Sequence, residues 1–263
     1  MSSPHATDLD GRVAFVTGGS AGIGRGIVET FVRAGARVVI GIRNPDAAEK
    51  VAAELQVGSD RLRFVATDAT IQQDVENLVD ETHRIWGRVD IAVLNAGGVR
   101  NSSRILDMTD EEWAFELAIN LNHTFWGMRR ALRYMTEQKS GRVIAISSIE
   151  GKHAKANVAG YVTNKHAING LVKAVAKEVG PDGITVNSIC PGLVLTELVA
   201  RGGGKGLGVS GFDAVVELYS REAALQRPVT IDEVSALALF LASDAATGIT
   251  GALMSVDGGT AHY

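Results

Sequence analysis

The sequence predicts an α/β protein built on a doubly wound parallel sheet with helices on both faces. Short β-rich runs alternate with longer helical patterns along the whole chain, the order that a parallel sheet requires. Several runs are continuously apolar, as in Ile91-Ala92-Val93-Leu94 and Val143-Ile144-Ala145-Ile146, which suits strands covered on both faces. The first run ends in the glycine cluster Thr17-Gly18-Gly19-Ser20-Ala21-Gly22-Ile23-Gly24 and passes into an amphipathic stretch, so that strand, turn and helix follow in the phosphate-binding order.

In chain order, strands are expected at about 13–16, 37–42, 62–66, 91–94, 142–146, 185–189 and 252–256, seven in all. Helical patterns fill about 24–34, 46–55, 72–85, 109–135, 155–179 and 230–242. In the first of these, Ile27, Val28, Phe31 and Val32 share the face that would pack on the sheet. Residues 1–8 read as a short disordered arm and 9–263 as one domain. One segment breaks the rhythm: 201–211 holds six glycines in eleven residues and cannot hold a fixed conformation unaided. It is either a tolerated surface insertion or part of a lid at about 197–225, with a short helix over 213–225.

Composition narrows the function classes. The 263 residues carry a net charge of −4 and 46% hydrophobic residues, as expected of a globular protein with a sizeable core. The 26 Lys and Arg are scattered, so nucleic acid is not an expected partner. There is no run of eighteen apolar residues and no basic, apolar leader at the start, so neither a membrane span nor a secretory signal is expected and a cytoplasmic location is. The single cysteine, Cys190, reads as inert packing, and the six histidines lack metal-ligand spacing, so no metal is expected.

Chemistry concentrates in two places. Gly18, Gly22 and Gly24 let a pyrophosphate approach the backbone at a helix N-terminus, although a lone glycine cluster is as often an ordinary turn. Tyr161 and Lys165 stand four apart, so on a helix they share a face, with Ser148 thirteen residues earlier. A phenol, with a pKa near ~10, becomes a usable acid or base if an ammonium beside it favours the phenolate. Alone, such a pair is usually a helix-surface contact.

Together the motifs resemble the short-chain dehydrogenase/reductase family from about Leu9 to about Gly259. They run in order: Thr17-Gly18-x-x-x-Gly22-x-Gly24, Asn95-Ala96-Gly97, Ser148 with Tyr161-x-x-x-Lys165, and Pro191-Gly192-x-x-x-Thr196. The resemblance implies a Rossmann-type fold and an oxidoreductase that moves hydride between a nicotinamide and a carbonyl or alcohol. It implies that Tyr161 passes a proton to or from the substrate oxygen, Ser148 holds that oxygen, Lys165 lowers the tyrosine pKa and binds the nicotinamide ribose, and Asn120 bends a helix and supports a proton relay. For the dinucleotide it implies contacts from Gly18, Ser20, Gly22, Ile23, Gly24, Asp68, Ala69, Asn95, Ala96, Gly97, Tyr161, Lys165, Pro191, Gly192, Val194 and Thr196. It places a substrate lid over the glycine-rich segment and a homotetramer through the helices at 109–135 and 155–179.

The choice of dinucleotide falls after the second strand. Ile42 stands where an acidic residue would select NAD, and Arg43 next to it, followed by Asn44, could fork onto a 2′-phosphate, an NADP pattern. Ala21 stands where some NADP-preferring relatives carry a basic residue. For the substrate, the stretch from Tyr161 to Thr196 is similar to that of 3-hydroxybutyrate dehydrogenases, but Gly98-Val99 and Glu150 replace that subgroup's glutamine and histidine. A carboxylate at 150 repels an anionic substrate. The expectation is therefore a ketoreductase acting on an uncharged, largely apolar ketone, with Val99, Glu150, His153 and Leu193 as substrate contacts. The alternatives are a 3-hydroxybutyrate-type dehydrogenase and a non-catalytic NADP-binding sensor, the latter expected to lack Ser148, Tyr161 or Lys165.

Overall fold

The computed structural model describes residues 7–99, 101–196, 199 and 211–261. The glycine-rich residues 201–210, most of the predicted lid start at 197–200, and residues 1–6 of the predicted arm lie outside the described residues.

Seven parallel strands, β1 (Val13–Thr17), β2 (Arg37–Ile42), β3 (Leu62–Ala66), β4 (Ile91–Leu94), β5 (Gly141–Ile146), β6 (Ile184–Pro191) and β7 (Leu253–Val256), lie in the order 3-2-1-4-5-6-7. The helices are α1 (Gly22–Arg33), α2 (Pro45–Leu55), α3 (Gln72–Trp86), α4 (Asp110–Glu116), α5 (His123–Gln138), α6 (Ala159–Val179), α7 (Phe212–Glu222) and α8 (Ile231–Ala242). This is the doubly wound architecture the alternation predicts, with its switch point where β1 pairs with both β2 and β4.

Because strand side chains alternate, each central strand feeds two cores. Ala14 and Val16 face Ile27, Val28 and Phe31 of α1 and Val234, Ala238 and Leu241 of α8. Phe15 and Val39 face the other way, with Leu78 and Val79 of α3, Met128 and Met135 of α5, and Ile168 and Val172 of α6. Burying a side chain such as Phe15 fully stabilises the fold by about 1.5–3 kcal/mol.

Two helix expectations need correction. The helix predicted over 109–135 is interrupted: the π-helical Leu117–Asn122 separates α4 from α5. The Asn120 amide causes the break, since its Nδ2 donates to Glu116 O and Gly98 O, both at 3.0 Å, while its Oδ1 accepts from Gly98 N at 3.0 Å. The helix predicted from 155 starts only at Ala159, because Asn157 sits in the left-handed region at φ 67°.

Candidate active site

The turn after β1 requires its glycines. Gly18 and Gly22 hold φ of 68° and 55°, and a Cβ on Gly24 would run into Gly18 O and the Asn95 amide. Ala21, the residue before α1, gives no side-chain cap, so the first amides of the helix, among them those of Ile23 and Gly24, have no side-chain acceptor. Thr196 packs against Gly22, 3.2 Å from where its Cβ would stand, and Ser20 is half-buried in the turn. A cradle without Cβ atoms beside uncapped helix amides fits a pyrophosphate, so these residues suit a dinucleotide.

Asn95 locks this turn to the next loop: its Nδ2 donates to Thr17 O at 2.9 Å and Gly18 O at 3.3 Å. The Thr17 hydroxyl accepts from Asn95 N at 2.9 Å and Ala96 N at 3.1 Å. With both lone pairs taken, its own proton has two acceptors in reach, Val93 O at 3.5 Å and Nε2 of the fully buried His123 at 2.9 Å, and the nearer is the imidazole. That fixes the imidazole as an Nε2 acceptor, and burial pushes its pKa down to about 4, with repulsion from Lys165 adding to the effect. Thr17 and His123 were not among the expected site residues. The signal available was a hydroxyl closing β1 and a histidine three residues after Asn120.

Gly97 is where the loop meets the polar centre. A Cβ there would come within 2.7 Å of Asn120 Oδ1 and 3.4 Å of Lys165 Nζ. Lys165 Nζ donates to Ile146 O at 2.8 Å and lies 5.3 Å from the centre of the Tyr161 ring, so the i, i+4 pair does share a face of α6. Ser148, at the end of β5, is hydrogen-bonded to Tyr161. Asn120, Ser148, Tyr161 and Lys165 thus converge at the C-terminal ends of the central strands β4 and β5.

The electrostatics depart from expectation. Burial and then the Glu150 carboxylate push the Tyr161 phenol above its ordinary value, and the hydrogen bond between Tyr161 and Ser148 only partly offsets them. The lowering expected from Lys165 does not prevail, because burial and the Glu150 carboxylate outweigh it, and burial brings Lys165 itself down to about 8. A raised pKa keeps the Tyr161 phenol protonated at neutral pH.

Glu150 is buried in the 3₁₀ turn Ile149–Gly151. The Ser148 hydroxyl donates to its Oε2, its own amide donates back to Ser148 Oγ at 3.1 Å, and the Tyr219 hydroxyl of α7 reaches Oε1 at 3.4 Å. Tyr219 was missed as well, since only the fold brings α7 under this turn. His153 is half-buried with its Nε2 enclosed and unpartnered among the described residues. Val99 and Leu193 are half-buried, whereas Val194 is buried and bridges to Val229. Pro191 ends β6, and a Cβ on Gly192 would strike the Asp257 backbone at 2.8 Å. Cys190 is buried and burial pushes its thiol up, as inert packing requires.

The residues expected near the adenosine are less uniform. Arg43 is exposed after the buried Ile42, within the field of Asp68. The Asn44 side chain instead caps α2, accepting from Asp46 N at 3.0 Å. Asp68 Oδ1 accepts from Thr70 N and Thr70 Oγ1, which hold the carboxyl below its usual range, while Ala69 is buried. Among the described residues no group of acidic, histidine or cysteine side chains could hold a metal ion, and no helix is long and apolar enough to cross a membrane.

Residues 18–261 match the family model described as "Enoyl-(Acyl carrier protein) reductase". The chain is 36% identical to "3beta-hydroxysteroid dehydrogenase 2" of Eggerthella lenta, covering 98% of each. It is 37% identical to "D-beta-hydroxybutyrate dehydrogenase" of Cupriavidus necator, over 95% of this chain and 98% of that one. A crystal structure of a short-chain type dehydrogenase/reductase from Mycobacterium marinum superposes with a TM-score of 0.88 at 32% identity, covering 97% of both chains. A family model that spans the sheet from its glycine turn to its last strand, with relatives aligned end to end, leaves one assignment: the chain belongs to the short-chain dehydrogenase/reductase family and is an oxidoreductase enzyme.

Proposed function

We propose that the protein interconverts a ketone and a secondary alcohol with NADP(H), working mainly as a ketoreductase on an uncharged, largely apolar substrate. The observation that carries this reading is the convergence of Ser148, Tyr161 and Lys165 beside Gly97, next to a glycine cradle suited to a dinucleotide. The nicotinamide supplies or takes up the hydride when bound. Tyr161, held protonated by burial and Glu150, gives its proton to the substrate oxygen during reduction. Lys165 supplies positive charge from beneath the ring, and Asn120 fixes the loop at Gly98. Arg43, exposed at the end of β2, is the group proposed to take a 2′-phosphate.

Relatives named for hydroxysteroids agree with an uncharged, bulky substrate, and the buried Glu150 opposes a small carboxylate. Similarity to a D-beta-hydroxybutyrate dehydrogenase supports the second reading, an NAD-dependent enzyme for a short hydroxy acid. The proposed lid, about residues 197–225, includes α7, and the proposed assembly is a homotetramer, testable by light scattering. A screen at 340 nm with NADPH and NADH against acetoacetate, an acetoacetyl thioester, cyclic ketones and aromatic ketones tests the function. Turnover is expected on the uncharged ketones. Acetoacetate as the best substrate would establish the second reading instead, and tight NADPH binding without turnover would leave a sensor.

A further inference from the structure

Ser148 has one proton and more than one claimant. Its Oγ accepts from Glu150 N at 3.1 Å and is hydrogen-bonded to Tyr161, and its proton goes to Glu150 Oε2, so in this arrangement it has none to offer a substrate carbonyl. Glu150, in contrast, is poorly satisfied for a buried carboxyl. Among the described residues its second oxygen meets only the Tyr219 hydroxyl at 3.4 Å, the long end of hydrogen-bonding range. Lys155, a cation on the same side, is committed elsewhere, pairing with Glu222 at 2.8 Å and lying 3.4 Å above the Tyr219 ring. The turn therefore holds an acceptor with spare capacity next to a donor that this acceptor withholds.

We propose that Glu150 is a specificity-determining residue that selects ketones carrying a hydroxyl next to the reacting carbonyl. The substrate hydroxyl donates to Glu150, and the Ser148 proton swings to the carbonyl oxygen, which then meets two donors, Ser148 and Tyr161. A ketone without that hydroxyl leaves Ser148 turned away and meets one. An uncharged hydroxyl suits the place better than an ammonium, because Lys165 lies within electrostatic reach of Glu150. Hydride and proton counts are those of the ketone reduction, and the inference rests on that reading. A site built to bond a substrate hydroxyl discriminates strongly against analogues that lack it.

The test compares cyclohexanone, 2-hydroxycyclohexanone and 2-methoxycyclohexanone, with NADPH and NADH, in the full-length wild type, Glu150→Gln, Glu150→Ala and Tyr219→Phe. The methoxy ketone has the inductive pull of the hydroxyl without its proton. Wild-type kcat/KM is expected to be on the order of 10–100-fold higher for the hydroxy than for the methoxy ketone, the worth of one bond to a charged group. The ratio should fall towards one in both Glu150 variants, and rise in Tyr219→Phe, where the competing donor is gone. A wild-type ratio near one, or a ratio that survives Glu150→Gln, overturns the proposal. If an uncharged ketone is reduced but the ratio is flat, only the role of Glu150 falls. If no ketone is reduced, the ketoreductase reading falls and this proposal with it.

Discussion

Replacing Thr17 by Val tests the idea that one hydroxyl organises the floor of the site. Valine keeps the β-branched shape that the end of β1 needs but strips the acceptor from two amides, Asn95 N and Ala96 N, and the donor from His123 Nε2. Thr17 is fully buried, so water cannot substitute cheaply. Asn95 and Ala96 are half-buried, so at about 1–3 kcal/mol for a fully buried amide left unpaired the two amides cost up to roughly 2–6 kcal/mol. That is a large share of a stability of typically ~5–15 kcal/mol. Thr82→Val is the control: Thr82 is equally buried, but its hydroxyl only donates to Leu78 O within α3, so its loss should cost about 1 kcal/mol or less. Urea unfolding followed by far-UV circular dichroism gives both values. A Thr17→Val cost within about 1 kcal/mol of the control would refute the reasoning.

Further outcomes are expected. Tyr161→Phe should keep the fold and NADPH binding while lowering turnover on any active ketone by on the order of 10²–10⁴, and comparable turnover would remove Tyr161 from proton transfer. Arg43→Ala should cut NADPH affinity about 10–100-fold and leave NADH nearly unchanged in fluorescence titrations; equal losses for both would mean that Arg43 does not read the 2′-phosphate. His123, held near 4 when folded against about 6.5 when unfolded, is neutral and costs nothing above pH 6.5. As pH falls from 6.5 towards 4 the unfolded chain takes up the proton first, so about 3 kcal/mol of stability should be lost. His123→Gln should remove that part of the slope in urea unfolding between pH 7 and 4, and identical slopes would contradict it.

The sheet was legible because both of its signals are local. Continuous apolar runs place the strands, and Ile27, Val28 and Phe31 show which face of α1 meets them. The positions of Tyr161 and Lys165 followed from helical spacing, which α6 preserves. A bend at Asn120 was implied by the resemblance, but its form, a π-helical turn tied by a pair of bonds to Gly98 twenty-two residues away, was not legible in the local pattern. The same is true of the direction in which Tyr161 shifts. An i, i+4 lysine suggests a lowered value, but the outcome is decided by burial and by Glu150, carried in on a separate turn. Asn44 shows a local use that the motif match did not reveal: its side chain caps α2.

The bond between Thr17 and His123 joins residues 106 positions apart, and a ribosome adds residues at roughly 5–20 per second. During the roughly 5–20 s between the emergence of the two, the amides of Asn95 and Ala96 can find Thr17, but its hydroxyl proton has no imidazole to seal it. The turn after β1 therefore lacks one of its partners on the nascent chain, with the edge of β4 open until β5 arrives at residue 141. Closure of the turn after β1 therefore draws on α5 as well as β4, and the imidazole is the last of the Thr17 partners to leave the ribosome.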